Sequence, residues 1–311
     1  MKHELRVEDD EDGLTLAALV RGRLGADGVE VTWSRARGLV TRGKVSVDGV
    51  VVLDAAARVK RRQKVVVDEQ AKVLKPESAA TIVFEDAHVV VIDKPSGISS
   101  VPYDKREQGT AMDAIRSAWR HAGRKATQTP LLVVHRIDKE TSGLLSFAKT
   151  KLAERELQAL FRAHDVERTY LCVAHGRMED RRIESNLVED RGDGIRGSTR
   201  RVGQGKRAVT HVRAVEEMPT VTLCEVKLET GKTHQIRIHL AEAGHPIVGE
   251  KVYIRDFTKK GGELLPSHRL LLHAATLGFV HPVTGGKVQL SSPLPPDFTS
   301  ELSQLRRRRG K

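Results

Sequence analysis

The chain has 311 residues, with 53 lysine or arginine residues against 41 aspartate or glutamate residues, so its formal net charge is +12. A positive charge of this size favours polyanionic partners, above all nucleic acid, because binding releases counterions from phosphates. No run approaches the roughly 18 apolar residues that a membrane-spanning helix needs, so we expect no membrane partner. The N-terminus carries acidic residues at 8–12 in place of the apolar core of a signal peptide, which predicts a cytoplasmic protein.

Cofactor and metal sites find little support in the sequence. Cys172 and Cys224 are the only cysteines, and their apolar strand-like neighbours predict buried, reduced thiols. His234 and His239 have neither a cysteine partner nor a glutamate between them, so we expect no zinc. The glycine-rich stretch 192–205 lacks the flanking strand and helix of a phosphate-binding loop. We therefore predict that the protein uses no metal and no cofactor.

Residues 14–70 are predicted to form a small N-terminal domain of two helices followed by strand-like runs, with Asp48 and Gly49 as a hairpin turn. Between residues 35 and 64 there are nine basic and two acidic residues. One face of so small a domain is expected to be strongly positive, although the charges alone also fit a domain whose surface is simply solvated. We expect RNA binding by Arg35, Arg37, Arg42, Lys44, Lys60, Arg61 and Arg62.

A linker is predicted at residues 71–80, which lack periodicity and contain Pro76. Residues 81–300 are predicted to form one domain. Its strand-like runs outnumber its helices and are not strictly interleaved with them, which favours an α+β domain with a mixed, mainly antiparallel sheet flanked by helices. KLAERELQALFRA has the spacing of an amphipathic helix. RGDGIRGSTRRVGQGKR is predicted to be a mobile basic surface loop, and residues 301–311 a basic tail.

Asp138 lies in a polar connection between two apolar runs. In LLVVHRIDKETSGLLSFAKT, residues 131–134 and 144–147 are typical of buried strands, so HRIDKETSG is a tight link presented by two rigid elements. An aspartate near Thr, Ser and Gly is commonly a turn residue. From the residues alone, Asp138 is either such a turn residue or a catalytic carboxylate.

Arg237 lies in the second polar block, LETGKTHQIRIHLAEAGHPIVGE. Thr233 is predicted to cap a helix that ends at Gly244 and Pro246. Arg237 would lie near the helix start, beside the buried face, where an arginine needs a carboxylate or a phosphate. The alternative is a surface arginine exposed to water.

These segments resemble, in order, the motifs of RluA-type pseudouridine synthases. HRIDKETSGLLSFAKT is similar to the family signature, and its aspartate aligns with Asp138. DKPSGISSVP, RTYLCVAHG, GKTHQIRIHL and GHPIVGEKVY resemble the other motifs, and LLHAATLGFVHPVTG the C-terminal strand pair. The resemblance covers residues 81–298. It departs mildly at Lys139 and Glu140, where Arg-Asp is frequent, and at Ile137, where Leu is usual.

The resemblance implies an enzyme that isomerises specific uridines in structured RNA without a cofactor. It implies that Asp138 is the catalytic carboxylate, that Arg237 is its ion-pair partner and that Tyr170 packs against the target base. Arg136 would help to hold the place of the extruded nucleotide in the RNA.

The N-terminal module resembles the S4 RNA-binding domain through Ser34, Arg35, Gly43 and Gly49, and S4-bearing relatives suggest ribosomal RNA rather than transfer RNA as the partner. No feature of the sequence indicates the oligomeric state, and a monomer is our working expectation.

Two other functions fit parts of the sequence. A non-catalytic RNA-binding or ribosome-assembly protein would use the same basic surface. A glycoside or nucleoside hydrolase would need a second carboxylate, and Glu140 and Glu229 are interpreted as turn and strand-edge residues.

Overall fold

The computed structural model describes residues 2–25, 31–52, 55–71, 80–103, 107–124, 126 and 128–307. The chain divides into two compact units, residues 1–79 and residues 80–311. None of the helices in the described ranges combines the length and the apolar character needed to cross a membrane. The predicted linker falls almost entirely on residues 72–79, which lie outside those ranges.

The first unit is a four-stranded antiparallel sheet, in the order β1-β4-β2-β3, together with two helices. Its elements are β1 (Lys2–Arg6), α1 (Leu16–Gly25), α2 (Trp33–Thr41), β2 (Val45–Val47), β3 (Val50–Val51) and β4 (Lys64–Asp68), with a short 3-10 helix at Asp9–Glu11. Thr32 caps α2 by accepting a hydrogen bond from the Arg35 amide at 3.2 Å. Leu16, Val20, Val40 and Val65 are among its fully buried core side chains.

The hairpin predicted at Asp48 and Gly49 is confirmed: both residues have positive φ angles, 50° and 82°, as a two-residue turn of this kind requires. The strand β1 was not predicted. It pairs along its length with β4, from Lys2 opposite Asp68 to Arg6 opposite Lys64. The unit therefore begins upstream of residue 14, which was its predicted first residue.

The second unit is built on an 11-stranded sheet in the order β11-β10-β12-β13-β9-β14-β8-β6-β5, with β15 on β14 and β7 on β8. Its strands are β5 (Thr81–Glu85), β6 (Val89–Lys94), β7 (Leu132–Val133), β8 (Ser142–Ala148), β9 (Glu167–His175), β10 (Arg181–Val188), β11 (Gly197–Thr199), β12 (Lys206–Glu217), β13 (Val221–Leu228), β14 (Leu272–Val280) and β15 (Lys287–Ser291). Its helices are α3 (Ala111–His121), α4 (Lys151–Ala163), α5 (Gln235–Glu242), α6 (Arg255–Lys259) and α7 (Pro296–Arg307). The pairing of β14 with β8 is parallel and the other described pairings are antiparallel, which confirms the predicted α+β class.

The centre of this sheet is buried on both faces. In β6, Val90 and Ile92 pack into one apolar cluster, with Trp119 of α3, whereas Val89 and Val91 pack into another, with Leu157 of α4. Side chains alternate between the two faces of a strand, so a central strand covered on both sides is apolar throughout. The segments next to these strands are therefore held by a rigid scaffold.

Two predicted surface segments are more ordered than expected. The stretch predicted as a mobile loop contains β11, which pairs with β10, and Arg191 forms ion pairs with Asp193 at 3.0 Å and Asp256 at 2.8 Å. The predicted basic tail 301–311 is also wrong as far as residue 307, because these residues continue α7 and bury Leu302 and Leu305. Residues 308–311 lie outside the described ranges.

Candidate active site

A cavity of about 880 Å³ in the second unit brings together the four residues of this unit that the sequence predicted for the site. Asp138 comes from the turn before β8, Tyr170 from β9 and Arg237 from α5, and Arg136 lines the same cavity. The parallel pairing of β14 with β8, and the antiparallel pairing of β14 with β9, bring the Asp138 turn close to Tyr170.

The turn that carries Asp138 depends on a close approach between two backbones. Gly143 has φ 108°, and a Cβ at this position would lie 2.2 Å from the carbonyl oxygen of Ala274 on β14. Only glycine tolerates both the conformation and the contact. Gly143 thus allows β8 to leave the turn directly against β14.

Asp138 is indeed a turn residue, because its carbonyl oxygen accepts a hydrogen bond from the Thr141 amide at 3.1 Å. Its side chain, however, accepts no hydrogen bond from a backbone amide of the described residues, so it does not form the Asx-turn that a purely structural role would predict. The half-buried carboxylate lies in the cavity, with Oδ2 3.6 Å from Nη1 of Arg237 and Oδ1 3.9 Å from Nε2 of His234.

A buried lysine, Lys94, holds the turn that carries Asp138 through hydrogen bonds to backbone carbonyl oxygens. Nζ of Lys94 donates to the carbonyl oxygens of Pro95 and Ile98, both at 2.9 Å, and of Lys139 at 3.2 Å. Burial lowers the pKa of Lys94 to about 7, against the opposing effect of the nearby Asp138 and Glu140 carboxylates. Three carbonyl acceptors match the three donors of an ammonium group. Lys94 was not predicted as a site residue, although a lysine directly after the apolar run VVVID was the available signal.

Further hydrogen bonds join the same two segments. The Gly97 amide donates to the Lys139 carbonyl oxygen at 2.8 Å, and the Ser100 hydroxyl donates to the Ile137 carbonyl oxygen at 2.6 Å. DKPSGISSVP and HRIDKETSG, which are 45 residues apart at the Lys94 to Lys139 contact, therefore form one structural unit around Asp138.

Arg237 is more deeply buried than predicted and has a closer partner than Asp138. Only 4% of its side chain is exposed, and it donates through Nε and Nη2 to the two carboxylate oxygens of Glu250, each at 2.7 Å. Nη1 remains directed toward Asp138 at 3.6 Å and Glu140 at 3.7 Å. The guanidinium group thus connects a buried carboxylate to the carboxylate in the cavity.

Glu250 is a second carboxylate near the site, and it was not predicted from the sequence. Its side chain is fully buried, and its Oε1 also accepts from the amides of Lys251 at 3.0 Å and Val252 at 2.9 Å. Burial would raise the pKa of Glu250, but the hydrogen bonds and charge of Arg237 outweigh it and lower the pKa. Both oxygens are therefore occupied, and Glu250 is not placed to exchange a proton with a ligand.

The start of α5 differs from the prediction. His234, not Thr233, occupies the N-cap position, with φ 57° and no side-chain capping bond. The side chain of Gln235 holds the turn instead, because its Oε1 accepts from the Lys232 amide at 3.0 Å and from the Thr230 hydroxyl at 2.8 Å. His234 Nδ1 lies 2.7 Å from the Tyr253 hydroxyl, which directs the ring toward the cavity.

Tyr170 forms an apolar wall of the cavity. Its side chain is buried, and burial raises the pKa of its hydroxyl, so the ring carries no charge at neutral pH. Among the described residues that line the cavity, Asp138 carries the only carboxylate, whereas seven are lysine or arginine: Arg136, Lys139, Arg162, Arg168, Arg196, Lys232 and Arg237. A cavity with this balance of charge attracts a polyanion. Among the residues that the structure describes, no group of three or more His, Cys, Asp or Glu side chains is arranged to hold a metal ion.

The basic residues predicted for RNA binding in the first unit differ in their exposure and in their contacts within the unit. Arg35, Arg37, Arg42, Lys60, Arg61 and Arg62 are exposed. Lys44 is half-buried, and its Nζ donates to the backbone carbonyl oxygens of Glu69 and Ala71. Arg35 pairs with Glu69 at 3.3 Å. Lys44 and Arg35 are therefore partly engaged within the unit itself.

Residues 88–242 match the family described as RNA pseudouridylate synthase. The ribosomal large subunit pseudouridine synthase D of Zymomonas mobilis is 35% identical over 275 residues, 85% of this chain and 86% of that protein. Its namesake from Pseudomonas aeruginosa is 36% identical over 290 residues, 89% of this chain and 88% of that protein. The structure of human RNA pseudouridylate synthase domain containing 4 superposes with a TM-score of 0.56 at 25% identity, covering 74% of this chain and 95% of that chain.

Proposed function

Because this chain belongs to the RluA-type RNA pseudouridylate synthase family, it is a pseudouridine synthase acting on RNA, and we propose that it isomerises specific uridines of ribosomal RNA without a cofactor, through Asp138, Tyr170 and Arg237. The observation that carries the residue assignment is the carboxylate of Asp138, which lies in an electropositive cavity 3.6 Å from a buried guanidinium group.

The reaction sets the requirements for this site. The N1–C1′ bond of uridine breaks, a C5–C1′ bond forms, the hydrogen on C5 leaves as a proton and N1 takes up a proton, so no electrons are gained or lost and no energy carrier is consumed. The base must leave the helical stack to expose its glycosidic bond. The enzyme then has to hold the detached base while it turns. The task is therefore one of positioning, for which side chains alone suffice.

Asp138 acts in its ionised form, either by attacking C1′ or by removing the proton on C2′. Arg237 stabilises that charge through Nη1, and the bond of Arg237 to Glu250 fixes the direction of the guanidinium group. The Tyr170 ring offers a face for the uracil. Ile137, Leu228 and Leu272 line the same cavity and exclude water that would otherwise capture the sugar intermediate.

Hydrolysis of the glycosidic bond is the competing chemistry for a carboxylate at this position. It would need a second carboxylate free to exchange protons. Glu250 is committed to Arg237 and to two backbone amides, and Glu140 is half exposed and does not line the cavity. The arrangement favours isomerisation, in which one carboxylate serves throughout.

Ribosomal RNA is the proposed substrate because the relatives from Zymomonas mobilis and Pseudomonas aeruginosa are named for the large ribosomal subunit. We expect that deleting the gene removes one or a few pseudouridines from large-subunit ribosomal RNA. Mapping pseudouridines across total RNA measures this directly. The wild-type gene should restore the missing sites and the Asp138→Asn gene should not. Loss confined to transfer RNA would contradict the assignment of the substrate.

We propose that the first unit is an S4-like RNA-binding domain that contacts phosphates. Arg37, Arg42 and Lys60 are exposed, and none of them has an ion-pair partner among the described residues. Changing all three to glutamine should raise the KM for RNA and leave kcat unchanged, because phosphate contacts set register and not chemistry.

Salt dependence makes the test of this unit specific. The slope of log affinity against log salt should fall by about 0.7 to 0.9 for each phosphate that the variant no longer neutralises. Lys2→Gln is the matched control, since Lys2 is exposed in the same unit but pairs with Glu4 at 3.4 Å, and it should leave the slope unchanged. If the slope of log affinity against log salt is unchanged in the triple variant, these residues of the first unit do not contact phosphates of the RNA.

A further inference from the structure

Arg168 lines the cavity and was not among the predicted site residues. It lies on β9 two residues before Tyr170, and both side chains line the cavity. Residues two apart on a strand point to the same face of the sheet. Arg168 is therefore directed toward the same space as the ring proposed to hold the base.

The guanidinium group of Arg168 is fixed in place by its surroundings. It lies over the Phe161 ring, 5.4 Å from the centroid, and His135 stacks on the same ring with the two centroids 4.4 Å apart. On another side, a Cβ at Gly231 would lie 2.8 Å from Nη1 of Arg168. The absence of a side chain at Gly231 makes room for the guanidinium group at the cavity wall.

No protein group in the described part of the chain neutralises this cation. Arg168 forms no ion pair and no hydrogen bond there, and its Nε is buried without a partner. Arg237, which lines the same cavity, instead has three carboxylates within 4.0 Å, those of Asp138, Glu140 and Glu250. His135 cannot supply the missing negative charge, because an imidazole ring is either neutral or positively charged. Burial and the charge of Arg168 lower its pKa to about 3, so the ring is neutral.

A half-buried arginine without a carboxylate is costly unless a ligand supplies the missing charge. We propose that Arg168 binds a phosphodiester group of the RNA that flanks the extruded uridine, and so fixes the sugar of that nucleotide relative to Asp138. The inference rests on the proposed function and names a further positioning residue for the same reaction. A uracil carbonyl is a poorer match, because a neutral acceptor leaves the charge uncompensated, whereas the planar fork of arginine fits two phosphate oxygens.

A double substitution, one in the protein and one in the RNA, tests the contact. The RNA is a synthetic fragment containing the uridine identified by mapping, with one uncharged methylphosphonate placed either 5′ or 3′ to that uridine. With the wild-type protein, one of the two positions should weaken binding by about tenfold, the scale of one charge-assisted contact. Arg168→Gln should weaken binding of the unmodified RNA by a similar factor, and the methylphosphonate should add no further loss.

Two additional variants keep the result interpretable. Arg155→Gln removes an exposed arginine that pairs with Glu156 at 2.8 Å outside the cavity, so it should retain the full methylphosphonate penalty. Gly231→Ala displaces the Arg168 guanidinium group without removing its charge, and should reduce the penalty in part. If Arg168→Gln and the methylphosphonate each weaken binding and their effects multiply, whether the methylphosphonate is 5′ or 3′ to the uridine, the inference is overturned. If the wild-type protein forms no pseudouridine in any ribosomal RNA fragment, the proposed function fails instead.

Discussion

Replacing Asp138 with asparagine is expected to abolish pseudouridine formation while RNA affinity changes by less than about threefold. Asparagine keeps the shape of the side chain but can neither attack C1′ nor accept the C2′ proton, so the rate should fall by about 10⁴-fold or more. The cavity would still present seven cationic side chains to the RNA, which is why affinity should persist. Tritium release from C5-labelled RNA measures the rate, and a filter-binding titration measures the affinity.

Asp165→Asn is the matched control for this experiment. Asp165 is an exposed aspartate that follows α4 and does not line the cavity. The control should release tritium at the wild-type rate. Normal turnover by Asp138→Asn would show that this carboxylate is not needed for the reaction. The cavity around Asp138 would then be a basic RNA-binding surface only.

Replacing Arg237 with lysine is the second change from which we expect a large effect. The ammonium group of lysine carries the same charge, but it cannot donate to Glu250 in a bidentate manner and also reach Asp138. We expect kcat to fall by about 100-fold and the free energy of unfolding to fall by about 2 to 3 kcal/mol, because a fully buried carboxylate loses half of its pairing. Single-turnover kinetics and urea unfolding measure the two quantities.

Glu250→Gln separates the two roles of Arg237. It leaves the Nη1 charge in place near Asp138 but weakens the bond that fixes the guanidinium group, so kcat should fall less than in Arg237→Lys. Arg155→Lys is the control, because Arg155 is an exposed arginine that pairs with its neighbour. A wild-type kcat in Arg237→Lys would contradict the proposed link between the guanidinium group and the catalytic carboxylate.

Much of the fold follows from local patterns. The strand-like apolar runs that form β9, β13 and β14, and the helical spacing in α4, predicted those elements. β1 was missed because Leu5 is its only strongly apolar residue, although its burial alternates strictly, with Lys2, Glu4 and Arg6 exposed and His3 and Leu5 half-buried. The last helix was hidden by the arginine run in which it ends, at Arg306 and Arg307, although Leu302 and Leu305 have helical spacing and Pro296 is at its first position.

The candidate site was predictable only in part. Motif order pointed to Asp138, Tyr170 and Arg237, but the residues that hold them depend on contacts distant in sequence. Lys94 reaches the Asp138 turn across 45 residues, and Glu250 meets Arg237 only because the chain turns sharply between them. That turn requires Gly249, at φ 84°, where a Cβ would lie 1.8 Å from the Arg269 carbonyl oxygen. Hydrophobic periodicity and secondary-structure propensity carry no information about such contacts between distant residues.

The most direct test of the reaction is an analysis of the products that the purified enzyme forms from a ribosomal RNA fragment. Nucleosides and free bases are separated after incubation with the wild-type protein and with Asp138→Asn. We predict that the wild-type protein converts uridine to pseudouridine in equal molar amount and releases no uracil, and that the variant yields neither product. Free uracil from the wild-type protein would show hydrolysis, and pseudouridine from the variant would show that another group performs the reaction.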